Sequence, residues 1–175
     1  VSGATCRLPL RPQWVHRAAR PEAGWPGPAK QNYAGKDLRS LTDTLPPIEP
    51  LKARVTYDRA FHVVSANGKV YFGSSSEDKV ACLDIKTGRT IWEYFTEGPV
   101  RLAPTLAGDK VLFGSDDGHL YCIRADNGRL IWRTPIGPKD KRLPGNERII
   151  SLWPVRTSVV VVGESVYCCA GLFPS

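Results

Sequence analysis

The sequence predicts an all-β protein, a β-propeller in which four-stranded antiparallel sheets, or blades, stand around a central channel. The main observation is a repeat with a period of about 40 residues. Val70–Ser74 (Val-Tyr-Phe-Gly-Ser) returns 41 residues later as Val111–Ser115, and Thr87–Trp92 returns 40 residues later as Asn127–Trp132. Each copy also divides into short Val-, Ile- and Tyr-rich runs separated by Asn-Gly or Asp-Gly turns. A β-sandwich has evenly spaced strands too, but it does not repeat the same side chains in the same order.

The repeat places two blades at residues 58–98 and 99–137 and the start of a third at 155–175. In the second blade the strands are expected at Leu102–Leu106, Val111–Ser115, His119–Arg124 and Leu130–Thr134. The third copy stops at Ser175, and the chain begins at Val1 and contains no Met. We therefore expect an incomplete fragment of a propeller of at least ~300 residues, which by itself would associate through uncovered blade faces.

A tryptophan recurs at the predicted outer strand of each copy, as Trp92 and Trp132, where each is expected to end the strand. A large flat side chain there is expected to cover the neighbouring blade, although an aromatic binding platform is the alternative. Residues 1–57 are rich in proline, but residues 8–15 place Trp14 where an outer strand would have one. We interpret residues 8–15 as an outer strand that closes the ring. A disordered leader is the alternative.

Composition excludes several classes of protein. Hydrophobic residues make up 42% of the chain and charged residues 23%, which is typical of a globular protein and not of a disordered one. No apolar run approaches the 18 residues of a membrane span, and no signal peptide is visible. The net charge of +7 is spread along the chain instead of clustered. We therefore expect no transmembrane segment and no nucleic-acid partner.

Three arginines occupy equivalent positions just before the first strand of each copy: Arg59, Arg101 and Arg156. Because first strands line the channel of a propeller, the three guanidinium groups are expected side by side at one channel mouth. There they would bind an anionic ligand. The alternative is that each arginine pairs with an acidic residue, for which Asp58, Asp116 and Asp117 are available.

The segment 138–154 is an inserted basic loop between the second and third copies, on the face predicted for the arginines. It contains Arg142 and Trp153, which we include among the candidate ligand-binding residues, since long loops on rigid scaffolds often carry function. A solvated loop without function is the alternative.

The other chemical candidates are weaker. Cys82 and Cys122 share a repeat position and are expected as small apolar core residues. The odd count of five cysteines, Cys6 among them, argues against a full disulfide framework, and a bond between the adjacent Cys168 and Cys169, the alternative, would strain the backbone. The histidines His16, His62 and His119 are not spaced as metal ligands. The acidic pairs at Glu77 and Asp116 fall at hairpin tips, where turn chemistry explains them, although they could bind a cation weakly. We identify no catalytic residue and no metal site.

The elements Val70–Ser74, Cys82–Asp84 and Lys86–Trp92 resemble the PQQ-like (pyrroloquinoline quinone-type) propeller repeat. The second copy differs from the repeat at Arg124, which replaces the usual Asp, and the third at Cys168-Cys169, which replaces Phe-Gly. Some members of this family are dehydrogenases that bind PQQ and a metal ion and oxidise alcohols or sugars, with a disulfide between adjacent cysteines. Others are cofactor-free scaffolds of outer-membrane assembly.

The resemblance therefore implies two functions. The first is a non-catalytic binding or scaffold module for a protein partner, an anionic small molecule or a polysaccharide, with no evident cofactor. The second is a fragment of a PQQ-dependent dehydrogenase, with PQQ and Ca as its cofactors. It also implies a periplasmic or other extracytoplasmic location, because most members are exported. Fold alone does not decide between the two functions.

Overall fold

A computed structural model describes residues 12–17, 61–145 and 148–172. Arg59, Cys6 and residues 8–11, which carried sequence predictions, lie outside these ranges. Within them the protein contains two four-stranded antiparallel sheets, each in sequential strand order. The first sheet holds β1 (Val63–Ala66), β2 (Lys69–Ser74), β3 (Lys79–Asp84) and β4 (Thr90–Phe95), and the second holds β5 (Thr105–Ala107), β6 (Lys110–Gly114), β7 (His119–Arg124) and β8 (Leu130–Pro135).

Two smaller antiparallel pairs follow. The inserted segment forms a hairpin of β9 (Arg142–Gly145) and β10 (Arg148–Ser151), and the third copy forms β11 (Val160–Val162) and β12 (Ser165–Tyr167). The inserted basic loop thus has a regular structure of its own. No helix in the described ranges is long and apolar enough to span a membrane.

The sheets stack face to face because alternate residues of each strand point to opposite faces. Tyr71 and Cys82 of the first sheet share a buried cluster with Val111 and Tyr121 of the second. The opposite face of the second sheet contributes Cys122 and its neighbours to a second cluster, in which the third pair of strands takes part. The hydrophobic core therefore lies between consecutive sheets.

The repeat position shared by Cys82 and Cys122 lies in these clusters, as predicted. Both thiols are free and buried, and burial raises the pKa of each thiol. Cys168 and Cys169 are also free thiols.

The first strand of the second sheet differs from the prediction. β5 begins at Thr105, three residues after the expected Leu102. Pro104 immediately before it has no N–H to donate to a strand neighbour, and the preceding stretch bonds instead to the first sheet, where the N–H of Val100 donates to the carbonyl of Ser74 at 3.3 Å. This stretch delivers Arg101 to the seam between two sheets.

Trp92 and Trp132 lie inside the outer strands β4 and β8 instead of at their ends, and both Trp92 and Trp14 contact a neighbouring sheet. Trp92 donates from Nε1 to the carbonyl of Ala125 at 3.1 Å and packs on Gly128. Trp14 donates to the carbonyl of Ile85 at 2.8 Å and packs on Gly88. Residues 12–17 form no strand. Trp14 nevertheless contacts the first sheet in the same way as Trp92 contacts the second sheet.

Trp132 has a different environment. It is 36% exposed and lines a cavity of about 490 Å³ between the second sheet and the third strand pair. Within the described residues it packs on no glycine of the next sheet.

Candidate functional site

The candidate site is built on the turn that joins β6 to β7, where Asp116 and Asp117 follow Ser115. The Ser115 hydroxyl donates to the carbonyl of Gly98 at 2.9 Å, and the Asp116 N–H donates to the carbonyl of Pro99 at 2.9 Å. These bonds draw the turn against the chain that leaves the first sheet. Both carboxylates are consequently buried, which the interpretation as simple turn residues did not anticipate.

Asp116 joins two of the three predicted arginines. Arg101 reaches its Oδ2 from Nε at 2.8 Å and from Nη2 at 2.7 Å. Arg156, from the start of the third copy, donates from Nε to Oδ1 at 2.9 Å and from Nη2 to Oδ2 at 2.8 Å. One carboxylate therefore holds two guanidinium groups from different copies of the repeat side by side. We call Arg101 and Arg156 the arginine pair.

Burial differs sharply within this group. The Asp116 side chain is 1% exposed, whereas those of Arg101 and Arg156 are 34% and 32% exposed. A guanidinium group has five N–H donors. Arg101 and Arg156 each donate two of them to Asp116, so three donors per arginine are not bonded to Asp116. The hydrogen bonds that Arg156 donates to Asp116 also raise the pKa of Arg156, which keeps this group charged. The arrangement is a partly exposed surface with a net charge of +1, and its guanidinium groups keep N–H donors that Asp116 does not use.

Asp117, the next residue, belongs to a separate network. Its carboxylate accepts from the Tyr121 hydroxyl at 2.5 Å and from the backbone N–H groups of His119 at 2.9 Å and Glu97 at 3.3 Å. Burial and the adjacent Asp117 carboxylate raise the pKa of Tyr121, so this hydroxyl remains a donor. The network was not predicted from the sequence, although one signal pointed to it. His119 falls 40 residues after Lys79, and Lys79 is itself paired with Glu77 and Glu93.

The inserted hairpin is anchored on the same turn. The Ser151 N–H donates to the carbonyl of Asp116 at 2.8 Å, and the Val155 N–H donates to the carbonyl of Ser115 at 3.0 Å. The hairpin therefore lies beside the arginine pair, on the face where the sequence placed the insertion.

Two candidate residues of the insertion serve other contacts. Arg142 bonds to Glu97 at 3.0 Å and Asp140 at 3.3 Å, and the Arg142 hydrogen bond lowers the pKa of Glu97. Trp153 packs on Gly137 at the base of the insertion. Within the described residues, neither side chain shares a partner with the arginine pair.

Comparison with known proteins settles the family. A model of PQQ-like repeat proteins, described as outer membrane protein assembly factor BamB, matches residues 40–171. The chain belongs to this BamB family. The predicted resemblance to PQQ-like repeats is confirmed.

Curated proteins and solved structures resemble the chain over part of its length. The quinoprotein ethanol dehydrogenase of Pseudomonas putida is 30% identical over 41% of this chain and 13% of its own length. The quinohemoprotein alcohol dehydrogenase ADH IIB of the same species is 33% identical over 57% of this chain and 16% of its own length. The chain thus spans less than a fifth of either relative.

The crystal structure of BamB from Moraxella catarrhalis matches with a TM-score of 0.52 at 21% identity, over 62% of this chain and 33% of that chain. At this identity the likeness shows the fold alone. It confirms the all-β propeller architecture that the repeat predicts, of which this chain covers part.

Proposed function

We propose that this BamB-family chain is a non-catalytic binding module, and that the arginine pair receives an anionic group of its partner at the mouth of the propeller channel. The single observation that supports this is the convergence of Arg101 and Arg156 on one buried carboxylate. The single negative charge of Asp116 neutralises only one of the two positive charges, so a net charge of +1 remains. Six N–H donors of the pair do not bond to Asp116. These donors suit a second carboxylate, one that both guanidinium groups bind together.

The partner is a protein with an acidic segment, or an acidic small molecule or polysaccharide. A carboxylate recognises the fork of a guanidinium with two parallel hydrogen bonds, and a flexible acidic chain can present several carboxylates to the pair. Membership of a family described as an outer membrane protein assembly factor supports a protein partner and an extracytoplasmic location.

The test is a titration of the intact protein with a fluorescein-labelled hexaglutamate peptide. Arg156→Gln should weaken binding by about tenfold or more, since charge-assisted hydrogen bonds contribute about 1.5–3 kcal/mol. Arg129→Gln, which removes the same charge from an exposed arginine, is the matched control and should change the affinity less than twofold. Equal losses in both variants would mean that the peptide senses only net charge, and the proposal would fail.

A second candidate function is a PQQ-dependent dehydrogenase that oxidises alcohols, because the curated relatives above are quinone-linked alcohol dehydrogenases. The described residues do not fit the metal that accompanies PQQ. The carboxylate oxygens of Asp116 and Asp117 already accept hydrogen bonds from other residues of the chain. In the described ranges, no three His, Cys, Asp or Glu side chains lie close enough together to hold a metal ion.

The two functions are separated by reconstitution of the intact protein with PQQ and Ca²⁺. Alcohol-dependent reduction of a dye would favour the dehydrogenase and contradict the non-catalytic module. Loss of peptide binding in Arg156→Gln, without any PQQ-dependent activity, would favour the module.

A further inference from the structure

A second cavity lies beneath the inserted hairpin, and its polar lining does not belong to the arginine pair. It measures about 220 Å³, and the side chains that line it include Asp117, His119, Lys139, Asp140 and Ser151. This volume is below the roughly 300–1,000 Å³ of pockets for drug-sized ligands, so an occupant would be small.

His119 brings an unusual nitrogen to this cavity. Its Nδ1 is buried and lies 3.3 Å from Oδ1 of Asp117 without an aligned hydrogen bond. In the tautomer that carries its proton on Nδ1, the ring places an N–H beside this carboxylate and not a lone pair. Nε2 is then the acceptor that remains for a ligand.

Two donors complete the lining. Lys139 has no carboxylate partner for its ammonium group within the described part of the chain, whereas Asp140 is paired with Arg142 at 3.3 Å. Ser151 accepts from the N–H of Trp153 at 3.1 Å, which leaves its hydroxyl proton to donate. The wall thus offers an ammonium, a hydroxyl donor and an imidazole acceptor.

We infer that this cavity binds a small hydroxylated carboxylate. Its carboxylate lies against Lys139 and Ser151, and one of its hydroxyl groups donates to Nε2 of His119. The oxygens of Asp117 are already engaged by Tyr121 and two backbone N–H groups, so they do not repel the carboxylate of the ligand at full strength. The inference is independent of the arginine pair.

Three six-carbon probes test the inference by calorimetry on the intact protein. Gluconate carries both the carboxylate and the hydroxyls, sorbitol lacks the carboxylate, and hexanoate lacks the hydroxyls. Gluconate is expected to bind saturably and at least about tenfold more tightly than either of the others. Gluconate affinity no higher than that of sorbitol or hexanoate would overturn the inference.

Variants locate the binding. Lys139→Gln should lower gluconate affinity to the sorbitol level, and His119→Phe should lower it to the hexanoate level. Lys141→Gln, two residues away and outside the cavity lining, is the charge-matched control and should bind as the wild type does. Equal losses in the two lysine variants would place the ligand elsewhere and refute the inference.

Discussion

The indole ring of Trp92 packs directly on the backbone of Gly128 in the next sheet. A Cβ at Gly128 would lie 2.8 Å from ring atoms Cδ2 and Cε3, closer than any real Cβ contact, and the residue has a positive φ of 71°. Trp14 and Gly88 repeat this contact one sheet earlier. The seam between two sheets therefore depends on a tryptophan from one and a bare glycine from the other.

Replacing Gly128 with alanine should destabilise the protein by about 3 kcal/mol, because overpacking at Trp92 adds to the strain of a positive φ. Gly108→Ala is the matched control. Gly108 also has a positive φ, of 61°, but nothing lies within 4 Å of its added Cβ, so strain alone should cost about 1 kcal/mol. Urea denaturation compares the two, and equal losses would contradict the docking role of Trp92.

Replacing Asp116 with asparagine should destabilise the protein by about 2–3 kcal/mol. Breaking a fully buried pair costs about 3–5 kcal/mol, and the loss here is smaller because solvent can reach about a third of each arginine. Asp126→Asn, which removes an exposed partner of Arg124, should leave the denaturation midpoint nearly unchanged. If Asp116→Asn and Asp126→Asn have the same denaturation midpoint, Asp116 does not stabilise the contact between the two copies.

Tyr71 predicts a change in alkaline stability. Burial, helped by the Cys82 thiol, raises the pKa of Tyr71 from 10.0 to about 12. The folded protein thus holds this proton more tightly than the unfolded chain, and the resulting stability is complete below pH 10 and is lost as the pH rises towards 12. The free energy of unfolding of Tyr71→Phe should therefore fall by roughly 2 kcal/mol less than that of the wild type as the pH rises.

The measurement is the free energy of unfolding at pH 9 and at pH 11.5 for the wild type and the variant. Tyr167→Phe, which removes a hydroxyl from a 58% exposed ring, serves as the control and should follow the wild type. A wild type and a Tyr71→Phe variant that lose stability equally would refute the prediction.

Much of the fold followed from the repeat. The recurrence of Val-Tyr-Phe-Gly-Ser as Val111–Ser115 predicted two equivalent sheets, because strands that alternate the same side chains must bury the same faces. The shared position of Cys82 and Cys122 likewise predicted two core thiols. These features depend on local pattern, which a sequence displays directly.

The candidate site was less accessible to the same reasoning. The equivalent positions of Arg101 and Arg156 predicted that they would be neighbours, and Asp116 was one of three available partners. The cluster of Asp117, Tyr121 and His119 was not predicted, because Asp117 is buried only where the chain leaving the first sheet packs on the turn and the N–H of Glu97 donates to it. No periodic pattern marks a contact between a loop and a turn of another copy.

The central claim is that Arg101 and Arg156 form one anion site around Asp116. The most direct measurement is the anomalous difference map of crystals soaked in 4-bromobenzoate, an aryl bromide that does not alkylate thiols, whose carboxylate should bind both arginines and whose bromine marks its position. A bromine peak is expected beside the two guanidinium groups, and it should be absent in Arg156→Gln crystals. Bromine peaks only at other surface arginines, with none at this pair, would contradict it.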